Sequence, residues 1–277
     1  GRRATVAFST DWREDAARRD FTINALYADP ETGEVFDYFG GLSDLENGCV
    51  RFIGDATQRI AEDFLRILRY FRFLARFGSG PVDAEAVNAC AQGAHGLTAL
   101  SRERIAQELA RLLSLKSPDA SVGLMIEHRI FAPFLPELCS DAHDRLHRLV
   151  QREQLFNQPL SLPARFLSLL VPDPVAVDKV AARLKLSNKM REHLASRSNA
   201  GLPTEANIRA ISYRFDNATA RDVAMPFADD DSLPRCLARL EDWTSPIMQI
   251  KGGDLIKMGL PSGPIVNITL PEIHPPG

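Results

Sequence analysis

From Asp55 onward the chain is a run of helical hydrophobic patterns parted by short Pro- or Gly-bearing separators, which leaves little room for a sheet. The longest pattern, residues 57–77, runs without a break until Gly78-Ser79-Gly80-Pro81 and is expected to be one helix. Further helices are expected over 83–91, 101–113 (Ser101 as its N-cap), 120–128, 141–154, 163–170, 174–184, 187–196, 204–215, 218–224 and 233–240. The part before Asp55 reads as mixed α/β. Strand-like residues fill 2–8, a short polar helix fits 11–19, and 21–27 fits a strand. Asp29-Pro30-Glu31-Thr32-Gly33 is a turn by composition, and 34–38 returns as a strand to make a hairpin closed by Gly40-Gly41. A helical turn is expected over 42–46 and a short apolar run over 49–53. The fold class expected is therefore α+β, a small α/β part followed by an all-α multi-helix body.

A chain of 277 residues has room for about two domains. Its composition, 45% hydrophobic and 25% charged, excludes wholesale disorder. Cys49, Cys90, Cys139 and Cys236 lie far apart with no CxxC, so neither a zinc site nor a disulfide framework is indicated. No apolar run approaches the roughly 20 residues a membrane helix needs, so no membrane partner is expected, and no basic-then-apolar leader is expected from these residues. The net charge of −3 means that any nucleic-acid contact must come from a local patch. The chain opens at Gly1 rather than Met, as a piece of a longer protein would.

The basic residues are skewed, with 27 Arg against 6 Lys and no lysine before Lys116. A GC-rich genome gives such a skew, and so does a demand for planar, bidentate recognition of phosphates or base edges. On the 57–77 helix, Ile60, Phe64, Ile67, Leu68, Phe71 and Leu74 fall in one arc about 120° wide, the expected buried face. Arg66, Arg69, Arg72 and Arg76 fall opposite, with Asp63 at the edge one turn before Arg66. Four arginines on one face with little local neutralisation repel unless an anion lies against them. A phosphate-binding face, a solvated face and ion pairs to another segment all fit this pattern.

Arg18-Arg19-Asp20-Phe21-Thr22-Ile23-Asn24-Ala25-Leu26, with Glu62-Asp63-x-x-Arg66-x-x-Arg69-x-x-Arg72-Phe73, resembles the bacterial class II tRNA nucleotidyltransferase (CCA-adding enzyme) and poly(A) polymerase family. Phe36-Asp37-x-Phe39-Gly40-Gly41-x-x-Asp44-Leu45 and Arg51-Phe52-Ile53-Gly54-Asp55 fall between them in the family's order. Ser101-Arg102-Glu103-Arg104-Ile105, Glu108-Leu109 and Pro136-Glu137-Leu138 look like its helical region. Lys251-Gly252-Gly253-Asp254-Leu255, Gly259 and Gly263-Pro264 look like its tail. The resemblance implies the C-terminal remnant of a polymerase-β-like nucleotidyltransferase domain over 1–54. A nucleotide-recognition and RNA-binding helical neck over 55–115, and a helical body with an altered tail over 116–277, would follow.

It further implies that Arg19 contacts the triphosphate and that Asp63, Arg66, Arg69 and Arg72 line the nucleotide pocket. Cytosine and adenine each present an amino donor beside a ring-nitrogen acceptor, which a carboxylate and a guanidinium one helical turn apart would match. Uracil and guanine reverse that edge, and a hydrogen-bonding site rejects such a mismatch by roughly four orders of magnitude. Arg69 and Arg72 lie farther round and suit phosphate or fold-supporting ion pairs. Asn24 is expected two residues beyond Thr22 on one strand face, toward the ribose or in a sheet-to-loop hydrogen bond. Asp20 would orient Arg19 or Arg66, or cap the preceding helix, with no catalytic role.

The family's Mg²⁺ ions are held by two aspartates that follow a Gly-Gly turn upstream of the strand resembled by 2–8. Those metal ligands are expected outside this chain, so no catalytic or metal residue is expected within it. Asp229-Asp230-Asp231 is the nearest Asp-x-Asp match and reads as an acidic loop. The expected activity is addition of CMP and AMP to the tRNA 3′ end from CTP and ATP in the cytoplasm, with the 277-residue piece inactive alone. Poly(A) synthesis is the alternative within the family, and a non-catalytic RNA- or nucleotide-binding protein the alternative outside it. Arg102, Arg104, Arg145, Arg148 and Arg152 are expected on exposed faces against RNA phosphates.

Overall fold

The computed structural model describes residues 11–244, 246, 252–261 and 263. The strand expected over 2–8, Lys251, and the tail from Pro264 on lie outside them. Helix α1 (Trp12–Ala17) is N-capped by Asp11, whose carboxylate accepts from the Arg13 and Glu14 amides. Strands β1 (Leu26–Ala28) and β2 (Val35–Asp37) form the expected antiparallel hairpin, with Leu26 opposite Asp37. Between α1 and β1 the expected strand over 21–27 is instead a 3-10 turn, Thr22–Asn24. Phe21 alone pairs as a bridge, with Phe52. The Asp20 carboxylate explains the difference: it binds the Phe21 amide and the Asn24 side chain, local bonds that curl the backbone away from a ladder.

Helix α2 (Gly41–Glu46) starts where Asp37 accepts from four successive amides, Phe39, Gly40 and Gly41 on Oδ1 and Leu42 on Oδ2. Gly41 is required there, because a Cβ would run into the carbonyl of Thr22. Burial opposes the charge on Asp37, yet the four amides hold its carboxyl below the usual carboxylate range.

The helix expected over 57–77 is broken. Helix α3 (Ala56–Glu62) ends at Asp63, whose backbone is extended at φ −152°, ψ 106°, and α4 (Leu65–Phe77) begins anew. The Asp63 carboxylate takes the Leu65 amide, a local bond that competes with helix continuation, while Phe64 packs against Gly96, where any Cβ would strike its ring. The buried set of α4 is also wider than one arc, adding Leu65, Tyr70 and Phe73 to Ile67, Leu68, Phe71 and Leu74. Helix α4 lies between two layers. One side packs on the helical body, and the other meets Phe21 and Phe52, with ring centroids 5.0 Å apart for Phe21–Phe73 and 5.5 Å for Phe52–Tyr70.

The body follows the helical reading closely, with α5 (Ala84–Gly93), α6 (Arg102–Leu113), α7 (Asp119–Glu127), α8 (Ala142–Leu155) and α9 (Leu162–Ser168). Then come α10 (Pro174–Arg183), α11 (Asn188–Ser198), α12 (Ile208–Arg214), α13 (Asn217–Phe227), α14 (Leu233–Glu241) and the unanticipated α15 (Gly252–Lys257). Ser101 caps α6 as expected, accepting from the Arg104 amide. One apolar core runs from Phe21 to Leu194, and a second, from Leu149 to Leu240, joins α8, α9 and α12–α14.

Two arginines expected on exposed faces are buried. Arg145 lies over the Phe227 ring and pairs with Asp141. Arg152 donates to the carbonyls of Met225 and Ala228 at the end of α13 and to Asp230. Their long apolar stems fill the seam between α8 and α13, which a hydrophobicity pattern scores as polar. Deepest is Arg165, 2% exposed, paired with Glu153 at 2.5 Å and donating to the carbonyls of Leu113, Leu115 and Lys116.

Arg165→Met should cost about 3–5 kcal/mol in urea unfolding, because Glu153 stays charged and buried. Adding Glu153→Leu should recover much of that loss. Asp37 supplies a pH dependence. Its folded pKa lies below its unfolded one, so its contribution is complete above pH ~4 and is lost as pH falls through the depressed value. Asp37→Asn should therefore flatten the acid limb of the denaturation midpoint measured between pH 7 and pH 3.

Candidate functional site

The loop after α1, which carries Arg19, crosses the start of α4, where Arg66 and Arg69 bond to it. The loop has only one 3-10 turn, and arginines from α3 and α4 tie it down. Arg59 donates to the Ala17 carbonyl at 2.5 Å and to the Ile53 carbonyl at 2.9 Å. Arg66 reaches the Arg18 carbonyl at 3.3 Å and the Arg59 carbonyl at 2.9 Å. Arg69 Nε meets Asp20 Oδ2 at 2.5 Å. Asp20 is 5% exposed and gives its other oxygen to the Phe21 amide and to Asn24 Nδ2. Asp20 thus orients Arg69 and Asn24, rather than Arg19 or Arg66, and Asn24 sits in the 3-10 turn rather than on a strand face.

The arginine face is neutralised by ion pairs, one of the three readings its pattern left open. Glu62 takes Arg66 at 2.5 Å, Asp20 takes Arg69, and Glu108 on α6 takes Arg72 at 2.7 Å. Glu108 is 2% exposed and also accepts from Arg111. These acids lie on other segments, apart from Glu62, so a local charge count could not see them. Arg76 has no acidic partner among the described residues and lies over the Phe77 ring.

Asp63 and Arg66 do not pair with each other. Asp63 Oδ2 accepts from Arg104 Nη2 at 2.8 Å and Oδ1 from the Leu65 amide at 3.1 Å. Each oxygen keeps a lone pair, and Arg66 makes three hydrogen bonds of the five its guanidinium offers. A carboxylate and a guanidinium with unused capacity therefore stand at the start of α4. The hydrogen bond from Arg66, the larger influence beside Arg59, holds the Glu62 carboxyl below its ordinary value.

Arg19 stands on the far side of the loop, its side chain 41% exposed. Its guanidinium lies 5.0 Å from the centre of the Tyr27 ring, and it donates to Tyr27 Oη, the Asn24 carbonyl and Asp15. Tyr27 donates in turn to Asp15 at 2.5 Å and stacks on Trp12. That bond, with Arg19 behind it, keeps the Asp15 carboxyl below the usual range. Tyr27 and Arg59 were not anticipated. The aromatic β1 residue and the i,i+3 spacing of Arg59 with Glu62 were the signals available.

Comparison with known proteins gives the family. The model of the "Poly A polymerase head domain" matches residues 1–51, and that of the "Probable RNA and SrmB- binding site of polymerase A" matches 81–141. The CCA-adding enzyme of Lacticaseibacillus paracasei is 33% identical over 280 residues, across 97% of this chain and 68% of its own length. The chain belongs to the CCA-adding enzyme and poly(A) polymerase family. The mitochondrial CCA tRNA nucleotidyltransferase 1 of Mus musculus is likewise 33% identical, across 99% of this chain. The chain spans 64% of that relative's length. The structure of the Bacillus stearothermophilus CCA-adding enzyme in complex with CTP shares the fold, with a TM-score of 0.73 at 24% identity over 96% of this chain and 70% of that one.

Members of this family are nucleotidyltransferases, a class that generally uses divalent metal ions, and the described carboxylates do not fit one. No three His, Cys, Asp or Glu side chains among the described residues gather as a metal site. Asp15, Asp20, Asp37 and Asp44 are each taken by protein donors, Asp44 by Thr22 and Arg51. Asp230 is taken by Arg152 and Asp229 by the Ser232 amide, so the acidic loop serves the fold. No helix among the described residues is long and apolar enough to cross a membrane.

Arg69→Ala should destabilise the chain by roughly 2–4 kcal/mol in denaturant unfolding, since Asp20 stays buried without its cation. Arg76→Ala, with no such partner to strand, should stay within about 0.5 kcal/mol.

Proposed function

We propose that this chain supplies the nucleotide-selecting and RNA-holding parts of a tRNA nucleotidyltransferase that adds C and A to tRNA 3′ ends. Residues 1–54 would serve as part of the catalytic head, 55–115 as the neck, and 116–277 as body and tail. The observation that carries this reading is the joint itself. Two motif segments far apart in sequence are locked together by Arg66 on the Arg18 carbonyl and Arg69 on Asp20. Arg19, on the same loop, would meet the triphosphate, exchanging part of its bonding to Asp15 for a stronger anion.

Asp63 would accept from the exocyclic amine of cytosine or adenine, and Arg66 would donate to the neighbouring ring nitrogen. Uracil or guanine would set carbonyl against carboxylate and N–H against N–H. Arg69 and Arg72 act in this proposal by fixing α4 against the loop and α6 rather than by reading the base. With Arg145 and Arg152 buried, the RNA phosphates would fall to the exposed Arg148 and half-buried Arg102. Mg²⁺ belongs to the proposal with ligands outside the described residues. So does a cytoplasmic location, the mouse relative being mitochondrial by name.

Titration calorimetry of the chain with the four ribonucleoside triphosphates tests the reading. CTP and ATP should bind more tightly than UTP and GTP, by about ten-fold or more. Asp63→Ala should bring the four together while binding of inorganic triphosphate is unchanged. Equal affinities in the unaltered chain would overturn the base-reading assignment.

A further inference from the structure

Two opposite charges stand three positions apart at the start of α4, and neither is spent on the other. Glu62 holds Arg66 at 2.5 Å, and Arg104, from the first turn of α6, holds Asp63 at 2.8 Å. Asp63 and Arg66 lie three positions apart, and each is held by a partner other than the other. A carboxylate and guanidinium closed into a bidentate pair use the lone pairs and N–H groups that a base edge needs. We propose that Arg104 is a specificity-positioning residue, which keeps Asp63 turned away from Arg66 and open to a base. The inference rests on the nucleotide-selecting role given above to Asp63 and Arg66.

The geometry of Asp63 supports it. The carboxylate is pinned on both oxygens from two directions, by the Leu65 amide on Oδ1 and by Arg104 on Oδ2. Rotation about its terminal torsion breaks both bonds, so its plane is fixed while one lone pair on each oxygen stays free. The amide is a backbone group that only proline would remove, so Arg104 is the member of this pair of clamps that an ordinary side-chain change releases. Its own side chain is 47% exposed, and an exposed pair of this kind contributes little to folding. Arg104 thus acts on where Asp63 points, and a substitution there leaves the fold intact.

A mask is the opposite role for the same contact, with Arg104 occupying Asp63 until a base displaces it. The two roles differ in sign. A clamp that is lost lowers the preference for C and A; a mask that is lost raises CTP and ATP affinity.

The test is calorimetric binding of CTP, ATP, UTP, GTP and inorganic triphosphate to the unaltered chain and to Arg104→Ala and Arg104→Lys. The expected result is a preference for C and A reduced roughly ten-fold in Arg104→Ala, the factor of about one charge-assisted hydrogen bond. Arg104→Lys, which keeps the charge without the fork, should fall between, with inorganic triphosphate binding and melting temperature unchanged. An unaltered preference in Arg104→Ala overturns the inference, as does a rise in CTP and ATP affinity or an equal loss for all five probes. An unaltered chain that binds inorganic triphosphate but shows no base preference overturns the nucleotide-selecting reading, and this inference with it.

Discussion

The Asp20 carboxylate is 5% exposed, between the end of α1 and the flank of α4, and a charge so placed must be matched or neutralised. Arg69 matches it at 2.5 Å. From that contact the rest of the joint follows. Asp20's second oxygen curls the chain into the Thr22–Asn24 turn, which turns Asn24's carbonyl toward Arg19. Arg59 and Arg66 then take the carbonyls of Ala17 and Arg18, which a segment with one 3-10 turn would otherwise leave to water. Among the described residues, the hairpin and α1 share a small apolar cluster with Ala16, Ala25 and Ile53 at its centre. Polar anchoring to α3 and α4 therefore carries more of the load here than it does inside the body.

Arginine suits such a joint for a reason lysine cannot share. Its planar fork offers several donors at fixed angles, so one side chain can satisfy a backbone carbonyl and a carboxylate together. Arg66 does this with Glu62 and two carbonyls, and Arg59 with Glu62 and two others. The stripe along α4 is accordingly a set of ion pairs into the layers on either side, and Arg76, past the end of those layers, is the exception that faces outward. Fold support and ligand contact are compatible in this arrangement because the fork has donors left after the structural bonds are made.

The helices of the body were legible because each rests on local information: periodicity, Pro and Gly separators, and caps such as Ser101. The hairpin was legible from its turn residues for the same reason. What stayed hidden depends on contacts distant in the chain. Asp63 breaks the 57–77 pattern through a carboxylate that can serve Leu65 locally and Arg104 on another helix. Arg145 and Arg152 score as polar, yet their stems fill a seam that exists only once α8 and α13 pack. At the site, the motif residues could be named from the sequence through the resemblance, but their partners could not. Arg69 finds Asp20 and Arg72 finds Glu108 across dozens of residues, and no spacing rule connects them.

The body's charged contacts with the site come from α6. Arg165, on α9 and buried against α8, donates to the carbonyls of Leu113, Leu115 and Lys116, and so binds the end of α6 where its last carbonyls lack helical partners. Glu153 on α8 balances that charge, which fixes the end of α6 against two helices at once. The other end of α6 presents Arg104 to Asp63, and its middle presents Glu108 to Arg72. A twelve-residue helix is stiff over this distance, so anchoring its C-terminus sets where both side chains meet α4. A buried ion pair is a poor source of net stability compared with packed hydrocarbon. Its use at this position is better explained by placement: the pair fixes one end of the lever whose other end holds Asp63.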